Sequence, residues 1–211
     1  MSDQNLPPGA QHDPAGLHLA DVTVGEMCGI TFSVAPGEVL ALSGASGSGK
    51  SRLMRAIADL DAHGGEIRLG DTSQAAMPGH RWRQQVMLVP ADSQWWADTV
   101  GEHFPAGQPV DWAALGFTAD VAQWEVSRLS SGERQRLALL RALAHQPRAL
   151  LLDEPTANLD TETTARVEQW LLDRIRQGGC PTVWVSHDPA QIKRVATRHL
   201  NIRNHRLEAV E

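Results

Sequence analysis

The sequence predicts an α/β fold whose mostly parallel core sheet carries an antiparallel β edge subdomain and a short inserted α-helical subdomain. Two patterns predict this class. Continuous apolar segments that suit buried strands alternate with segments of helical periodicity, the order that builds a parallel sheet. Near the start of the chain, two segments alternate apolar with polar residues, as half-exposed antiparallel strands do. With 211 residues, the chain is long enough for one such domain with a sizeable core.

The first strands are expected to follow a loose N-terminal tail. Residues 1–16 are rich in proline and glycine and poor in apolar residues, which predicts disorder. The same stretch lacks the basic and apolar regions of a signal peptide. Order is therefore expected over residues 17–211, beginning with antiparallel strands at 17–24 and 30–34. A Pro-Gly pair at 36–37 then turns the chain into the next strand.

A glycine-rich turn joins that strand, which begins at Val39, to a helix expected at 51–60. The turn matches G-x-x-x-x-G-K-[ST], the phosphate-binding loop, in which backbone N–H groups and the helix N-terminus surround phosphate oxygens. Lys50 is expected to bridge the β- and γ-phosphates, and Ser51 to offer its hydroxyl to Mg²⁺. The predicted nucleotide-binding residues of this segment are Gly44, Ala45, Ser46, Gly47, Ser48, Gly49, Lys50, Ser51 and Arg52. The motif therefore indicates a P-loop NTPase.

The middle of the chain contains a less regular segment. A short strand is expected at 66–70, a polar loop up to His80, and a buried strand at 86–90. From 92 to 130, tryptophans and phenylalanines are interspersed with prolines and glycines, so only short helical pieces are expected. We interpret residues 92–130 as the inserted helical subdomain.

The second half of the chain returns to alternating helices and strands. The expected elements are a helix at 131–145, a strand at 149–153, a helix at 161–177 and a strand at 182–186. Chemistry in parallel sheets lies at the carboxyl ends of the strands. Gly44, Asp153 and His187 are all at such ends, so we expect them to lie near one another.

Two adjacent carboxylates end the strand at 149–153. Asp153 and Glu154 follow four apolar residues and match the second nucleotide motif. Transfer of a phosphoryl group to water requires positioning and charge neutralisation rather than covalent help. We expect Asp153 to hold Mg²⁺ through water and Glu154 to polarise the attacking water. The alternative is a solvated acidic pair, which the upstream phosphate loop disfavours.

Residues 129–136, Leu-Ser-Ser-Gly-Glu-Arg-Gln-Arg, place hydroxyls and a glycine N–H at a helix N-terminus, a second anion site. This stretch lies between the phosphate loop and the acidic pair. In that order it resembles the L-S-G-G-Q signature of the nucleotide-binding subunits of ABC transporters. The resemblance covers nearly all of 17–203. It implies that ATP is also contacted by Ser130, Ser131, Gly132 and Glu133.

The resemblance implies further roles. Asp160, in Ala-Asn-Leu-Asp, is similar to the D-loop aspartate that helps to position the opposite subunit's site, and His187 to the switch histidine that contacts the γ-phosphate and the catalytic glutamate. The family implies a head-to-tail homodimer that encloses two ATP molecules. It also implies an ATPase subunit that couples hydrolysis to a separate transmembrane permease. Such a subunit is cytoplasmic and peripheral at the inner (plasma) membrane.

The chain departs from the family pattern at two positions. Ala91 stands where the family's Q-loop glutamine is expected. The role of that glutamine is therefore lost, passes to a water molecule, or is taken by Asp92 or Gln94 through a shifted loop. We expect water to take it, and therefore weak or partner-dependent ATPase activity. The usual adenine-stacking aromatic residue is also missing, because the chain has no tyrosine. Val24 or Met27 is the expected substitute.

A tryptophan pair, Trp95 and Trp96, follows the expected Q-loop. An aromatic pair is commonly part of a core, whereas its position in the family favours a groove for a cytoplasmic helix of the permease. Both interpretations are open from the sequence alone.

Composition excludes several other classes. A net charge of -6 and a pI near 5.8 provide no basic stripe, so nucleic acid is not an expected partner. No apolar run approaches the about 18 residues that a membrane span needs. Cys28 and Cys180 are expected to be buried free thiols in a reducing compartment.

The alternative function is an ABC-type ATPase with a regulatory or mechanical role at a membrane complex. A chromosome-maintenance ATPase is disfavoured, because no heptad run separates the two nucleotide motifs.

Overall fold

The computed structural model describes residues 15–210 of the chain, so the predicted N-terminal tail, apart from residues 15 and 16, lies outside the described residues. Within them, ten strands form two sheets. The strands are β1 (Leu17–Val24), β2 (Met27–Val34), β3 (Val39–Gly44), β4 (Gly64–Leu69), β5 (Thr72–Ser73), β6 (Val86–Val89), β7 (Ala149–Asp153), β8 (Thr182–Val185), β9 (Arg198–Arg203) and β10 (Arg206–Ala209). The α-helices are α1 (Lys50–Ile57), α2 (Gly79–Gln85), α3 (Ser131–Ala144), α4 (Thr161–Gly178) and α5 (Pro189–Val195).

The larger sheet has six strands in the order β10-β9-β3-β8-β7-β6. All neighbours are parallel except β10, which pairs antiparallel with β9. In the register, Val185 of β8 lies opposite Leu42 of β3 on one side and Asp153 of β7 on the other. The carboxyl ends of these three strands therefore meet at one edge of the sheet. The prediction of a mostly parallel core sheet is confirmed.

The smaller sheet has four antiparallel strands in the order β2-β1-β4-β5. Along β1 and β2, buried apolar residues alternate with more exposed ones, which is the pattern that predicted them. The inward-facing side chains join α1 in one apolar cluster against the larger sheet. The antiparallel edge subdomain is therefore packed on the same face of the sheet as the first helix.

The larger sheet separates two apolar clusters. Leu151 and Val183 point into the cluster with α1 and the antiparallel sheet. Leu150, Leu152 and Trp184 point to the opposite face, into the cluster formed with α3, α4 and the segment before α3. Because successive side chains of a strand alternate between faces, continuous apolar strands are needed to cover a sheet on both sides. This explains the unbroken apolar runs of the sequence.

The segment at 92–130 contains short 3₁₀ helices and no α-helix. The 3₁₀ helices lie at Gly101–His103, Trp112–Leu115, Ala119–Gln123 and Val126–Arg128. Their buried side chains, among them Val121, join the cluster with α3 and α4. Short helical pieces are thus present as the sequence indicated, and the division of the chain at 92 and 130 stays an interpretation.

Five elements were not predicted: β5, α2, α5, β9 and β10. α2 begins at the end of the polar loop that was expected to reach His80, and it continues over residues for which no element was predicted. It is anchored by Trp82, which is fully buried and donates its indole N–H to the Ile57 carbonyl at 2.8 Å. α5 begins after Asp188, whose carboxylate caps the helix by accepting the Ala190 N–H. Beyond it, β9 and β10 form a hairpin. These elements are short, so their periodicity in the sequence is weak.

Candidate nucleotide-binding and catalytic site

Two glycines of the phosphate loop occupy positions that other residues would fill only with strain. Gly44 has φ of 148°, and a Cβ there would lie 2.8 Å from the Ile202 carbonyl oxygen. Gly49 has φ of 100°, and a Cβ there would lie 2.8 Å from the terminal methyl carbon of Met27. Both backbone conformations are ones that L-residues rarely adopt. The glycine spacing of the motif is therefore required by the packing of the loop.

Lys50 folds back over this loop. Its Nζ donates hydrogen bonds to the carbonyls of Gly44 at 2.9 Å and Ala45 at 3.0 Å, and the residue is buried. Burial lowers the pKa of Lys50, and the nearby carboxylates of Glu154 and Asp153 act in the opposite direction. The ammonium group thus lies between the loop and the acidic pair, where it can meet a bound phosphate.

Ser51 and Asp153 are far apart in the chain and in direct contact in the structure. The Ser51 hydroxyl donates to Asp153 Oδ2 at 2.8 Å. Ser51 belongs to the first turn of α1, and Asp153 is the buried last residue of β7. A hydroxyl and a carboxylate therefore meet beside the phosphate loop, as the two motifs predicted.

Glu154 leaves the strand in a different direction from Asp153. Its backbone is in the left-handed region with φ of 49°, and its N–H donates to the Val185 carbonyl at 3.1 Å. The Glu154 carboxylate then contacts His187, with Oε1 2.9 Å from Nε2. Strained backbone of this kind is concentrated at functional sites. The two residues predicted to be catalytic are thus brought together at the carboxyl ends of β7 and β8.

The signature segment begins α3 through a capping box. Ser130 accepts the Glu133 N–H on its hydroxyl at 3.2 Å, while the Glu133 carboxylate accepts both the N–H and the hydroxyl of Ser130 at 2.8 Å. These hydrogen bonds, led by the one from the Ser130 backbone, lower the pKa of Glu133. Gly132 lies against the chain at Asn158, and Ser131 is exposed. The helix N-terminus is therefore open to an anion on its outer side.

Within one chain the structure does not join the two predicted halves of the nucleotide site. Among residues 15–210, no hydrogen bond or ion pair links the signature segment 130–133 to the phosphate-loop segment 44–52. Asp160, the predicted D-loop aspartate, caps α4 by accepting the N–H and hydroxyl of Thr163 at 3.0 and 2.7 Å. Its carboxylate is exposed at this helix start.

Ala91, the departure at the Q-loop position, lies just beyond β6 and is exposed. The two residues considered as replacements, Asp92 and Gln94, are exposed as well. The Gln94 carbonyl accepts a hydrogen bond from Arg141 at 3.0 Å. Which group takes the role of the missing glutamine stays a prediction.

The sequence predicted only some of the residues that line the cavity beside the phosphate loop. Val24 and Met27, the expected adenine contacts, are 4% and 1% exposed and offer little surface. They line a cavity of about 400 Å³ that also borders the phosphate loop, Glu26 and His205. His205 lies in the β9–β10 turn, within a stretch whose sequence shows no recognised motif. The one sequence signal for this turn was the Asn-His pair at 204–205, because asparagine and histidine often occupy turn positions with positive φ.

The comparisons with known proteins agree with this arrangement. The family described as ABC transporter matches residues 27–157, which hold the phosphate loop, the signature segment and the acidic pair. This chain belongs to the ABC transporter family. The two nucleotide motifs and the signature segment are therefore ABC motifs, and the α/β fold with its two sheets is the ABC ATPase fold.

Curated relatives of this ABC chain are import subunits. It is 35% identical to the aliphatic sulfonates import ATP-binding protein SsuB 2 of Xanthomonas axonopodis pv. citri, over 81% of this chain and 60% of that protein. It is 34% identical to the sulfate/thiosulfate import ATP-binding protein CysA of Xanthomonas campestris pv. campestris, over 86% of this chain and 58% of that protein. The chain thus spans about three fifths of the length of these relatives.

A solved structure shares the fold. The structure of a bacterial Atm1-family ABC exporter with ATP bound superposes with a TM-score of 0.80 at 27% identity, covering 92% of this chain and 38% of that one. Among residues 15–210, no helix has both the length and the apolar character to cross a membrane.

Proposed function

We propose that this chain is the ATP-binding and ATP-hydrolysing subunit of an ABC transport system, and that it couples hydrolysis to a separate membrane permease. The contact between Glu154 and His187 beside the phosphate loop carries this proposal. A solvated acidic pair would not need a histidine from the loop after β8 to hold the Glu154 carboxylate. The similarity to ATP-binding subunits of import systems supports the same proposal.

In the proposed reaction, water attacks the γ-phosphorus of ATP and ADP leaves. Glu154 orients and polarises the water, and His187 fixes the Glu154 carboxylate while its ring faces the γ-phosphate. Lys50 exchanges its hydrogen bonds with the loop carbonyls for the phosphate oxygens and neutralises the charge that develops there. The loop amides hold the triphosphate in place.

The residues present also fit Mg²⁺. A serine hydroxyl and a carboxylate in contact are hard oxygen ligands, and Mg²⁺ bound to a nucleotide commonly keeps only one or two protein ligands besides phosphates and water. Among the described residues, no group of three or more His, Cys, Asp or Glu could hold a metal. Ser51 and Asp153 would therefore hold the ion together with ATP. When bound, it neutralises phosphate charge.

The catalytic unit would be a head-to-tail homodimer. The signature segment is a capped helix start with an exposed outer side, and no hydrogen bond or ion pair joins it to the phosphate loop of its own chain among the described residues. A second copy could bring its signature helix to the γ-phosphate end of the first copy's site. Each ATP would then be enclosed by the phosphate loop of one copy and by Ser130, Ser131, Gly132 and Glu133 of the other. Asp160 would lie at the contact between them.

The surface proposed to receive the permease lies at the tryptophan pair. Trp96 is 73% exposed, whereas Trp95 is half-buried against His103 and Arg141. A cavity of about 390 Å³ opens beside Trp96, between β6 and α3. A large exposed aromatic side chain next to a groove is typical of a protein contact surface. Docking there would place the chain at the cytoplasmic face of the inner membrane.

ATP turnover of the purified chain tests the proposed activity. We expect slow hydrolysis in the wild type, because Ala91 replaces the Q-loop glutamine, and a further loss of at least about 100-fold in Glu154→Gln. ATP binding should be retained in that variant, since the phosphate loop is untouched. Glu66→Gln, at an exposed glutamate of β4, is the matched control and should keep wild-type turnover. Equal turnover in Glu154→Gln and the wild type would remove Glu154 from the mechanism.

A further inference from the structure

We propose that the nucleotide base stacks on the imidazole of His205, at the end of the cavity away from the phosphates. This inference rests on the proposed ATP-binding function and deepens it by naming the base contact. The cavity of about 400 Å³ is lined by the phosphate loop and by Val24, Glu26, Met27 and His205. Triphosphate bound at the loop would direct its nucleoside into this space.

His205 is the only aromatic ring among the described residues that line the cavity. The chain has no tyrosine. Val24 and Met27 are buried in the apolar cluster, and Met27 already packs on Gly49. The side chain of His205 is 48% exposed, so a ring face is accessible to a ligand. Stacking on an aromatic face is the usual way to hold a base without reading its edges.

The hairpin holds this ring at the cavity. Asn204 and His205 have φ of 49° and 62°, the signs that a tight two-residue turn between β9 and β10 requires. From the turn, His205 Nε2 reaches Glu26 Oε2 at 3.2 Å. Glu26 follows β1 and lines the same cavity. The contact therefore ties the hairpin to the antiparallel sheet and fixes the orientation of the imidazole.

Arg52 limits the position of the base. A Cβ placed on Gly25 would lie 3.1 Å from Arg52 Cδ, so the arginine side chain rests directly on the backbone between β1 and β2. Arg52 also lines the cavity. The cavity is thus lined by the guanidinium of Arg52, by Glu26 and by His205, and His205 supplies its aromatic ring.

The test compares the binding of ATP with that of inorganic tripolyphosphate, by calorimetry, in the full chain. His205→Asn removes the ring and keeps a residue that tolerates positive φ. We expect it to weaken ATP binding by about 5- to 20-fold, the lower part of the range for one stacked base, and to leave tripolyphosphate binding unchanged. His205→Phe should restore ATP affinity. His80→Asn, at an exposed histidine of α2, is the matched control and should match the wild type with both ligands.

Two results would overturn the stacking proposal while the proposed function survives. One is wild-type ATP affinity in His205→Asn. The other is an equal loss of ATP and tripolyphosphate binding in that variant, which would indicate damage to the phosphate loop rather than loss of a base contact. A wild-type chain that binds neither ligand would instead contradict the proposed function itself.

Discussion

Asp153 and Glu154 are neighbours in the chain with different surroundings. Asp153 ends β7, is buried, and accepts the Ser51 hydroxyl. Glu154 is turned away by its left-handed backbone and contacts His187. Two carboxylates in one motif can therefore serve two purposes, one toward a nucleotide-bound cation and the other toward water. The sequence indicated this division from the order of the residues, and the structure provides its geometry.

At the residue scale, the sequence allows prediction where a spacing encodes a mechanism, and the structure brings the predicted residues together. The loop glycines, Lys50 and the acidic pair are close in sequence to the elements that position them, so the motif could be recognised. The base end of the cavity could not be predicted in this way. His205 reaches it from β9–β10, and only the tertiary packing of the hairpin against Glu26 brings it there.

The two cysteines should differ in reactivity. Cys180 is buried, and burial raises the pKa of its thiol to about 12, so its reactive thiolate is almost absent near pH 8. Cys28 is exposed, so the expectation that both thiols are buried was wrong: its side chain points outward from β2, next to the turn. A thiol-reactive dye at pH 8 should label one thiol per native chain and two in denaturant. Rapid labelling of Cys180 in the native chain would contradict this.

At the scale of elements, β3, β7, α3 and α4 could be located from apolar continuity, amphipathic spacing and helix caps. The expected bounds 149–153 and 161–177 agree with the structure to within one residue. α2 was missed because its one anchoring side chain, Trp82, lies in a polar context. Short elements such as β10 depend on partners that a sequence window does not contain.

The capping box of α3 predicts a pH-dependent stability. Glu133 has a lowered pKa in the folded chain, so the stabilisation from its charge is present above its unfolded pKa and is lost as the pH falls through the folded value. Glu133→Gln keeps a capping oxygen but has no charge at the helix start. At pH 7 we expect it to lower the free energy of unfolding by about 0.3–1 kcal/mol. Urea unfolding at stepped pH should show this gap closing in acid.

Glu66→Gln is the control for that experiment, because Glu66 is an exposed glutamate on β4 and caps no helix. Its curve should follow that of the wild type. A gap between Glu133→Gln and the wild type that stays constant from pH 7 into acid would show that the carboxylate charge does not stabilise α3.

The exposed tryptophan marks the surface at which the proposed permease would dock. Trp96 is 73% exposed, so Trp96→Ser should leave the thermal midpoint nearly unchanged and reduce recovery of the chain with membranes by about tenfold or more. Leu60→Ser, at an exposed leucine that does not line the cavity beside Trp96, is the control and should stay membrane-associated. A large loss of stability in Trp96→Ser would favour the core interpretation. Unchanged membrane recovery would exclude this surface.

At the scale of the whole molecule, the parallel sheet gathers the phosphate loop, Asp153, Glu154 and His187 at one edge. The signature segment, at the start of α3, forms no hydrogen bond or ion pair with the phosphate loop among the described residues. The fold class followed from the alternation of strands and helices, because that alternation permits few topologies. The separation of the signature from the phosphate loop could not be derived from spacing alone. The separated phosphate loop and signature segment make the single chain half of a proposed composite site.

Mixing two inactive variants tests that claim most directly. Lys50→Ala removes the phosphate contact of the loop, and Ser131→Asp places a negative charge at the signature, where an acidic residue in the first helical turn keeps α3 stable. A dimer of one variant with the other contains one site in which both the loop and the signature are intact. We predict that each variant alone hydrolyses almost no ATP and that the mixture recovers turnover. A mixture no more active than the sum of its parts would contradict a site shared between two copies.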